Sequence, residues 1–315
     1  MKRQDGVFLH VVPKRPGSQP ITWEEFCGPE YPEHAIALDG YVVGPPRQDL
    51  VKPAINFNHH EGVVRFATRA TCEQVRVALD MGLYRIFAKN GLPWAHIFVD
   101  DCDEDVCTSW WQASRWPHIA GPFVTRLVAV QGLLDMSAGA YPIDKNFSIL
   151  REFAWIYEPY VEVRMANKLN QLSASEMARV IESVCTRIDN YVSGQGIGLP
   201  LDTRYEVLRQ GAGWTMVKVV GYYARAQMCI DGVDAFVNFR GEDRGGFVYS
   251  VGCGPFSRFP MEKIRQALSE AESDRRAWGG ADTIFASPRG QGSTLNPDQV
   301  FETVEQEVKK HCFNP

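Results

Sequence analysis

Two adjacent histidines and a run of aspartates concentrate in five short segments of this chain. They are Leu38-Asp39-Gly40, Asn58-His59-His60-Glu61-Gly62, Asp100-Asp101, Asp103-Glu104-Asp105 and Leu134-Asp135-Met136-Ser137. Paired histidines with five or more nearby carboxylates make the ligand set of a hard-metal hydrolase rather than of a structural zinc site. His59 and His60, adjacent in an extended segment, point to opposite faces, so at most one of them is core. Asp103 and Asp105 project to the same side and can share a cation. Acids wedged between buried elements repel one another unless a cation neutralises them. Part of this acidity also fits a helix N-terminus, where negative charge meets the helix dipole favourably. Asp39 and Asp135, before glycine and near serine, are also ordinary turn chemistry, and their weight comes from ending apolar runs.

The elements that must position these groups follow from the apolar pattern. Each of the five segments comes after a run that reads as a buried strand, which places its acid or imidazole at a strand end, where open α/β sheets bind ligands. Residues 34–39 and 51–57 read as short strands, Ala95–Val99 as another, and Arg126–Leu134 as an apolar run leading into Asp135. Thr71–Met81 has helical spacing with Thr71 as its cap, and a second helix begins near Val106. Alternating strands and helices predict an α/β fold with a mainly parallel sheet flanked by helices, its metal-binding domain spanning residues 1–170. Met177, Val180, Ile181, Val184 and Ile188 line one face of a helix capped by Ser173 or Ser175, and Ser193–Pro200 is glycine-rich. Residues 171–200 thus read as a connecting helix and linker. A smaller α+β domain is expected over 201–315. There Trp214–Ala224, Met228–Ile230, Ala235–Phe239 and Gly246–Val251 read as antiparallel strands, with a hairpin turn at Asp231-Gly232 and helices around Met261–Ala277 and Pro297–His311.

The bulk numbers narrow the function classes. An apolar share of 45% and a charged share of 23% are those of an ordinary globular protein. A net charge of −5 disfavours binding of long duplex nucleic acid, which needs a basic surface. A small phosphorylated substrate is compatible with it, because a metal supplies local positive charge. Eight cysteines are scattered without a CxxC pair, no run is long enough for a membrane span, and the N-terminus lacks an apolar signal region. A cytoplasmic location with free thiols is therefore expected. A homodimer stays open.

Asp103-Glu-Asp105-Val-Cys-Thr-Ser109 resembles the Asp-x-Asp signature, closed by a serine, of the DHH phosphoesterase superfamily. Asn58-His59-His60 resembles that family's Asp-His-His, with asparagine for aspartate. Gly132-Leu-Leu-Asp135-Met-Ser-Ala-Gly-Ala-Tyr141 is similar to the element around the family's last metal-binding aspartate. The resemblance implies two ions, Mn²⁺ or Mg²⁺, with Asp39 bridging and His59, Asp103, Asp105 and Asp135 completing the ligands. It implies catalytic roles for His60, at the phosphate or leaving oxygen, and for Asn58. The order of motifs departs from the family's, since the Asp-x-Asp element follows the histidines, as in a circular permutation. Val99 stands where the family has a ligand histidine.

The family's second domain carries a glycine-rich substrate element, and Trp278–Ser293 occupies that place here. Gly279, Gly280, Ser287 and Arg289, with Arg240 in a similar turn, are the expected phosphate contacts. The expected activity is metal-dependent hydrolysis of a small phosphorylated substrate, a nucleotide or a short oligonucleotide. Two other readings compete: a catalytically inactive nucleotide-binding module on the same fold, and a zinc amide hydrolase using His59, His60 and Glu61.

Overall fold

The computed structural model of the chain describes residues 5–15, 18–141, 144–243, 245–254, 256–273, 276–288 and 290–313. It is a mixed α/β protein of two compact units, Met1–Met136 with Asn146–Pro200, and Ser137–Lys145 with Leu201–Pro315. The first contains a five-stranded sheet of β1 (Val7–Val11), β2 (Ala35–Leu38), β3 (Arg47–Asp49), β4 (Ala54–Phe57) and β5 (Ala95–Val99). Its order is β1-β5-β2-β4-β3. The first four of these are parallel, and β3 runs antiparallel along the edge. Strands β2 and β4 are buried along their whole length because both faces of the sheet are covered. Phe26, Ala35, Ala37, Tyr41 and Phe98 form the core on one face.

Six longer helices belong to this unit: α1 (Thr71–Asp80), α2 (Glu104–Arg115), α3 (Pro122–Met136), α4 (Ser148–Ile156), α5 (Glu158–Met165) and α6 (Ala174–Val192). Helices α1, α2 and α3 pack on one another, and α6 packs against α2, α4 and α5 and on β1. Helix α6 therefore lies inside the first unit. Ser173 caps it through a reciprocal box with Glu176. The run leading to Asp135 is helical rather than extended. Val124, Leu127, Val128 and Gln131 recur at helical spacing on its buried side, although apolar residues surround the helix. The pairing of Leu38 with Phe57 and Ala37 with Phe98 ends three neighbouring strands level. Asp39, Asn58 and Asp100 thus leave the sheet side by side.

The second unit holds a six-stranded mixed sheet: β6 (Tyr205–Gln210), β7 (Thr215–Val219), β8 (Ala235–Asp243), β9 (Gly246–Cys253), β10 (Gly279–Gly280) and β11 (Ile284–Ala286), in the order β10-β11-β9-β8-β7-β6. Met228–Ile230 belongs to a helix, α7 (Ala224–Ile230), and not to a strand. That helix carries the chain across so that β7 and β8 pair in parallel, and Asp231-Gly232 ends the helix instead of making a hairpin. Helices α8 (Met261–Ala271) and α9 (Pro297–Val308) cover one face, packing Ile264, Leu268, Val300 and Val304 against Trp214, Val237 and Tyr249. A buried carboxylate, Glu272, ties this unit together: it accepts hydrogen bonds from Trp278 Nε1, Ser293 Oγ, and the nitrogen and hydroxyl of Thr294. All eight cysteines are free thiols, and among the described residues no helix is long and apolar enough to cross a membrane.

Candidate metal centre

Four elements of the first unit converge on His59. Strand β2 ends in two consecutive left-handed residues, Asp39 at φ 51° and Gly40 at φ 85°. Aspartate tolerates that region, and glycine adopts it without steric cost. A Cβ at Gly40 would meet His60 Cδ2 at 3.3 Å, so the tight turn also makes room for the His60 ring. Strand β4 ends in the Asn58-His59-His60 loop. The Asn58 side-chain oxygen Oδ1 accepts the backbone N–H groups of His59 and His60 at 2.8 and 3.1 Å. Its amide nitrogen donates to Gly44 O at 2.8 Å and to Glu61 Oε2 at 3.0 Å. Both ends of this fully buried amide shape the loop, so the catalytic role expected for Asn58 gives way to a framing one. An aspartate could not donate to Gly44 O.

His59 is 0% exposed, and Nε2 lies 2.6 Å from Asp135 Oδ2, 3.4 Å from Asp39 Oδ1 and 3.8 Å from Asp105 Oδ2. Neither ring nitrogen makes an aligned hydrogen bond, although Nε2 and the Asp135 carboxylate are close enough for an ion pair. Ligand atoms gathered this closely form a set that could hold one cation. A buried imidazole left this way is otherwise costly. The ligand atoms of Asp39, His59 and His60 lie within 4.8 Å of one another, as do those of His59, Asp105 and Asp135. One imidazole amid several carboxylates suits a hard divalent cation such as Mn²⁺ or Mg²⁺.

The carboxylates differ in their other duties. Asp105 accepts the backbone N–H groups of Thr71 and Cys72, both at 2.7 Å, one on each oxygen. It therefore caps α1 from another helix, in place of the expected Thr71, which is the first helical residue and turns its hydroxyl onto Asp39 Oδ1 at 3.0 Å. Asp103 caps its own helix by accepting Val106 N at 2.9 Å and lies outside both candidate ligand groups. Asp135 stands in the last turn of α3, where the dipole disfavours a negative charge, and Arg65 and His59 compensate it.

The electrostatics show a site with excess negative charge. Burial and the charges of Asp39, Asp101 and Asp135 hold the Asp103 carboxyl well above the usual range. Burial with the Asp135 and Asp39 charges pushes Asp105 up to about 7. Burial works against the charged forms of Asp39 and Asp135 too, but the nearby imidazoles, and Arg65 beside Asp135, leave both lowered. For His59, burial favours the neutral ring, while the closeness of Asp135 and Asp39 outweighs it and raises the pKa to about 10.

Sequence reasoning missed Arg65 and the site role of Thr71. Arg65 follows His60 by five residues in an unremarkable stretch, and its contacts with His60 and Asp135 leave no local signature. Glu61 is exposed and bonded to Asn58, away from the carboxylate cluster. The second-domain residues expected to bind phosphate all fall in the second unit, and Arg289 among them lies outside the described residues. Gly279 and Gly280 form the edge strand β10 paired with β11, and a Cβ at Gly280 would strike Ile284 O and Phe285 Cα at 2.5 Å. The Ser287 hydroxyl is 7% exposed and accepts Tyr249 N at 3.0 Å, so it belongs to the sheet and is not offered to a ligand. Arg240 is exposed on β8. Compared with known proteins, the chain matches no family model, no curated protein and no solved structure.

Proposed function

We propose that the protein is a divalent-metal-dependent phosphoesterase acting on a small phosphorylated substrate, a nucleotide or a short oligonucleotide. The observation that carries this reading is the fully buried His59, whose Nε2 faces three carboxylates within 3.8 Å and is aligned for a hydrogen bond with none of them. Asp39, His59, Asp105 and Asp135 would hold the cation. A divalent ion there lowers the pKa of water and offsets charge on phosphoryl oxygens. The chain's own part is to fix the ligands and to keep one side open. His60, with its side chain 29% exposed, and Asp135, at 19%, form that open side, while His59 and Asp105 close the floor. His60 donates from Nε2 to Asp39 Oδ1 at 2.9 Å and is placed to turn that proton toward a phosphate or leaving oxygen. Glu61, which an amide hydrolase would need as its base, points to Asn58 instead, which favours the phosphoester reading over that rival.

A screen of phosphomonoesters and phosphodiesters with added Mn²⁺, starting from bis(p-nitrophenyl) phosphate, tests the proposal. Hydrolysis that is lost to a chelator, restored by Mn²⁺, and cut by about 10²–10⁴ in His60→Ala is expected. Hydrolysis that withstands the chelator, or survives both His60→Ala and Asp135→Asn undiminished, would overturn it.

A further inference from the structure

Arg65 is 6% exposed, and its guanidinium sits between two parts of the site. Nη1 lies 2.7 Å from His60 Nδ1, and Nη2 lies 2.9 Å from the Asp135 carbonyl oxygen and 3.4 Å from each Asp135 carboxylate oxygen. Its Nε is buried without a partner. A buried donor left unmade destabilises the fold, so the placement of Arg65 is better explained by what its two terminal nitrogens hold than by stability alone. A guanidinium carries five N–H donors and no acceptor, so the ring nitrogen facing it must present a lone pair. The His60 ring then keeps its proton on Nε2, the nitrogen that meets Asp39 Oδ1 at 2.9 Å. Turning the ring over would set carbon against Arg65 and against Asp39 and forfeit both bonds. The Gly40 turn packs against Cδ2 of the same ring and favours the orientation seen.

Resting on the phosphoesterase reading of the site, we propose that Arg65 is a positioning residue that keeps a proton off Nδ1 of His60 and so, with Asp39 accepting at the other nitrogen, holds the Nε2-protonated tautomer. It thereby reserves His60 as a hydrogen-bond donor and leaves His59 as the imidazole ligand. Chemically identical neighbours are given different tasks by what lies behind them: a guanidinium behind His60, no partner at all behind His59. Through Asp135, the same side chain fastens the histidine loop to the last turn of α3.

The test is a long-range ¹H–¹⁵N spectrum of the full chain labelled with ¹⁵N-histidine, metal-free and with diamagnetic Mg²⁺, with the His60 signals assigned by their loss in His60→Gln. The wild type should show His60 with Nδ1 unprotonated and Nε2 protonated. Arg65→Met should let Nδ1 of His60 carry a proton, seen as a doubly protonated ring or a mixture, while Arg65→Lys, which keeps one donor, should restore the wild-type pattern. The signals of His10, His34, His96, His118 and His311 report whether each variant is folded. A wild-type His60 with its proton on Nδ1 would overturn the proposal whatever the variants do, and so would a folded Arg65→Met with an unchanged His60 pattern. The spectrum needs no substrate. The expected patterns in a protein that hydrolyses nothing would support the Arg65 assignment and count against the phosphoesterase alone.

Discussion

Replacing Asp135 by asparagine should strip the first unit of most of its metal-linked stability while leaving its shape intact. The substitution is isosteric, and the side chain is 19% exposed, so the variant retains its packing. The backbone oxygen of Asp135 still accepts from Arg65. A ligand that binds only the native state adds about 2.7 kcal/mol when its free concentration is a hundredfold above Kd. The first unit comprises about 190 residues. For a domain of roughly that size each kcal/mol moves Tm by about 2–4 °C, so saturating Mn²⁺ should raise its transition by about 5–11 °C. Loss of a ligand that weakens binding by about a hundredfold would leave roughly 0.4 kcal/mol, or a shift of about 1 °C. Differential scanning calorimetry with a MnCl₂ series and a chelator control measures both proteins. A wild type with no shift at millimolar Mn²⁺, or a variant that shifts as far as the wild type, refutes the reasoning.

Metal binding should displace a proton from His59, whose pKa near 10 leaves it charged at neutral pH without a cation. The raised value stabilises the metal-free protein fully below about 6.5, and that contribution is lost as pH rises through about 10. Mn²⁺ affinity should therefore increase with pH over that range, and calorimetry in buffers of different ionisation heat should show more than one proton released per ion near pH 7, because Asp105 gives up part of a second. Asn58→Asp should destabilise the protein by about 2–3 kcal/mol in urea denaturation, because the new carboxylate faces Gly44 O and Glu61. A neutral or stabilising result would show that the framing role is misassigned. In the second unit, burial raises the Glu272 pKa, but bonds from Ser293, Thr294 and Trp278 outweigh it and leave the pKa lowered. Its stabilising contribution should hold above the free carboxyl value and fade as pH falls through the lowered one. Glu272→Gln should lower that unit's stability by about 2 kcal/mol at pH 7 and flatten the acid limb of its stability curve.

The parts of the fold that were legible in the sequence are those fixed by local pattern. Ala35–Leu38, Ala54–Phe57 and Ala95–Val99 are short apolar runs covered on both faces, and α6 announces itself through Ser173, Glu176 and one apolar stripe. The helix that carries Asp135 was not legible, because a segment with apolar residues all round has no face to reveal its period. The parallel pairing of β7 and β8 depends on a seven-residue helix whose short run looks equally like a strand. In the site, residue types pointed to Asp39, His59 and Asp135, and a strand end and a helix end bring Asp39 and Asp135 to His59 from 20 and 76 residues away. The double duty of Asp105 and the placement of Arg65 arise from contacts 33–34 and 70 residues apart, about which neighbours in sequence carry no information.

Anomalous diffraction from crystals grown with MnCl₂ would locate the cation itself. A manganese peak is expected within bonding distance of His59 Nε2 and Asp135 Oδ2, reached also by an oxygen of Asp39 or Asp105. Manganese bound elsewhere with none at His59, at concentrations well above any biological level, would contradict the proposed metal centre.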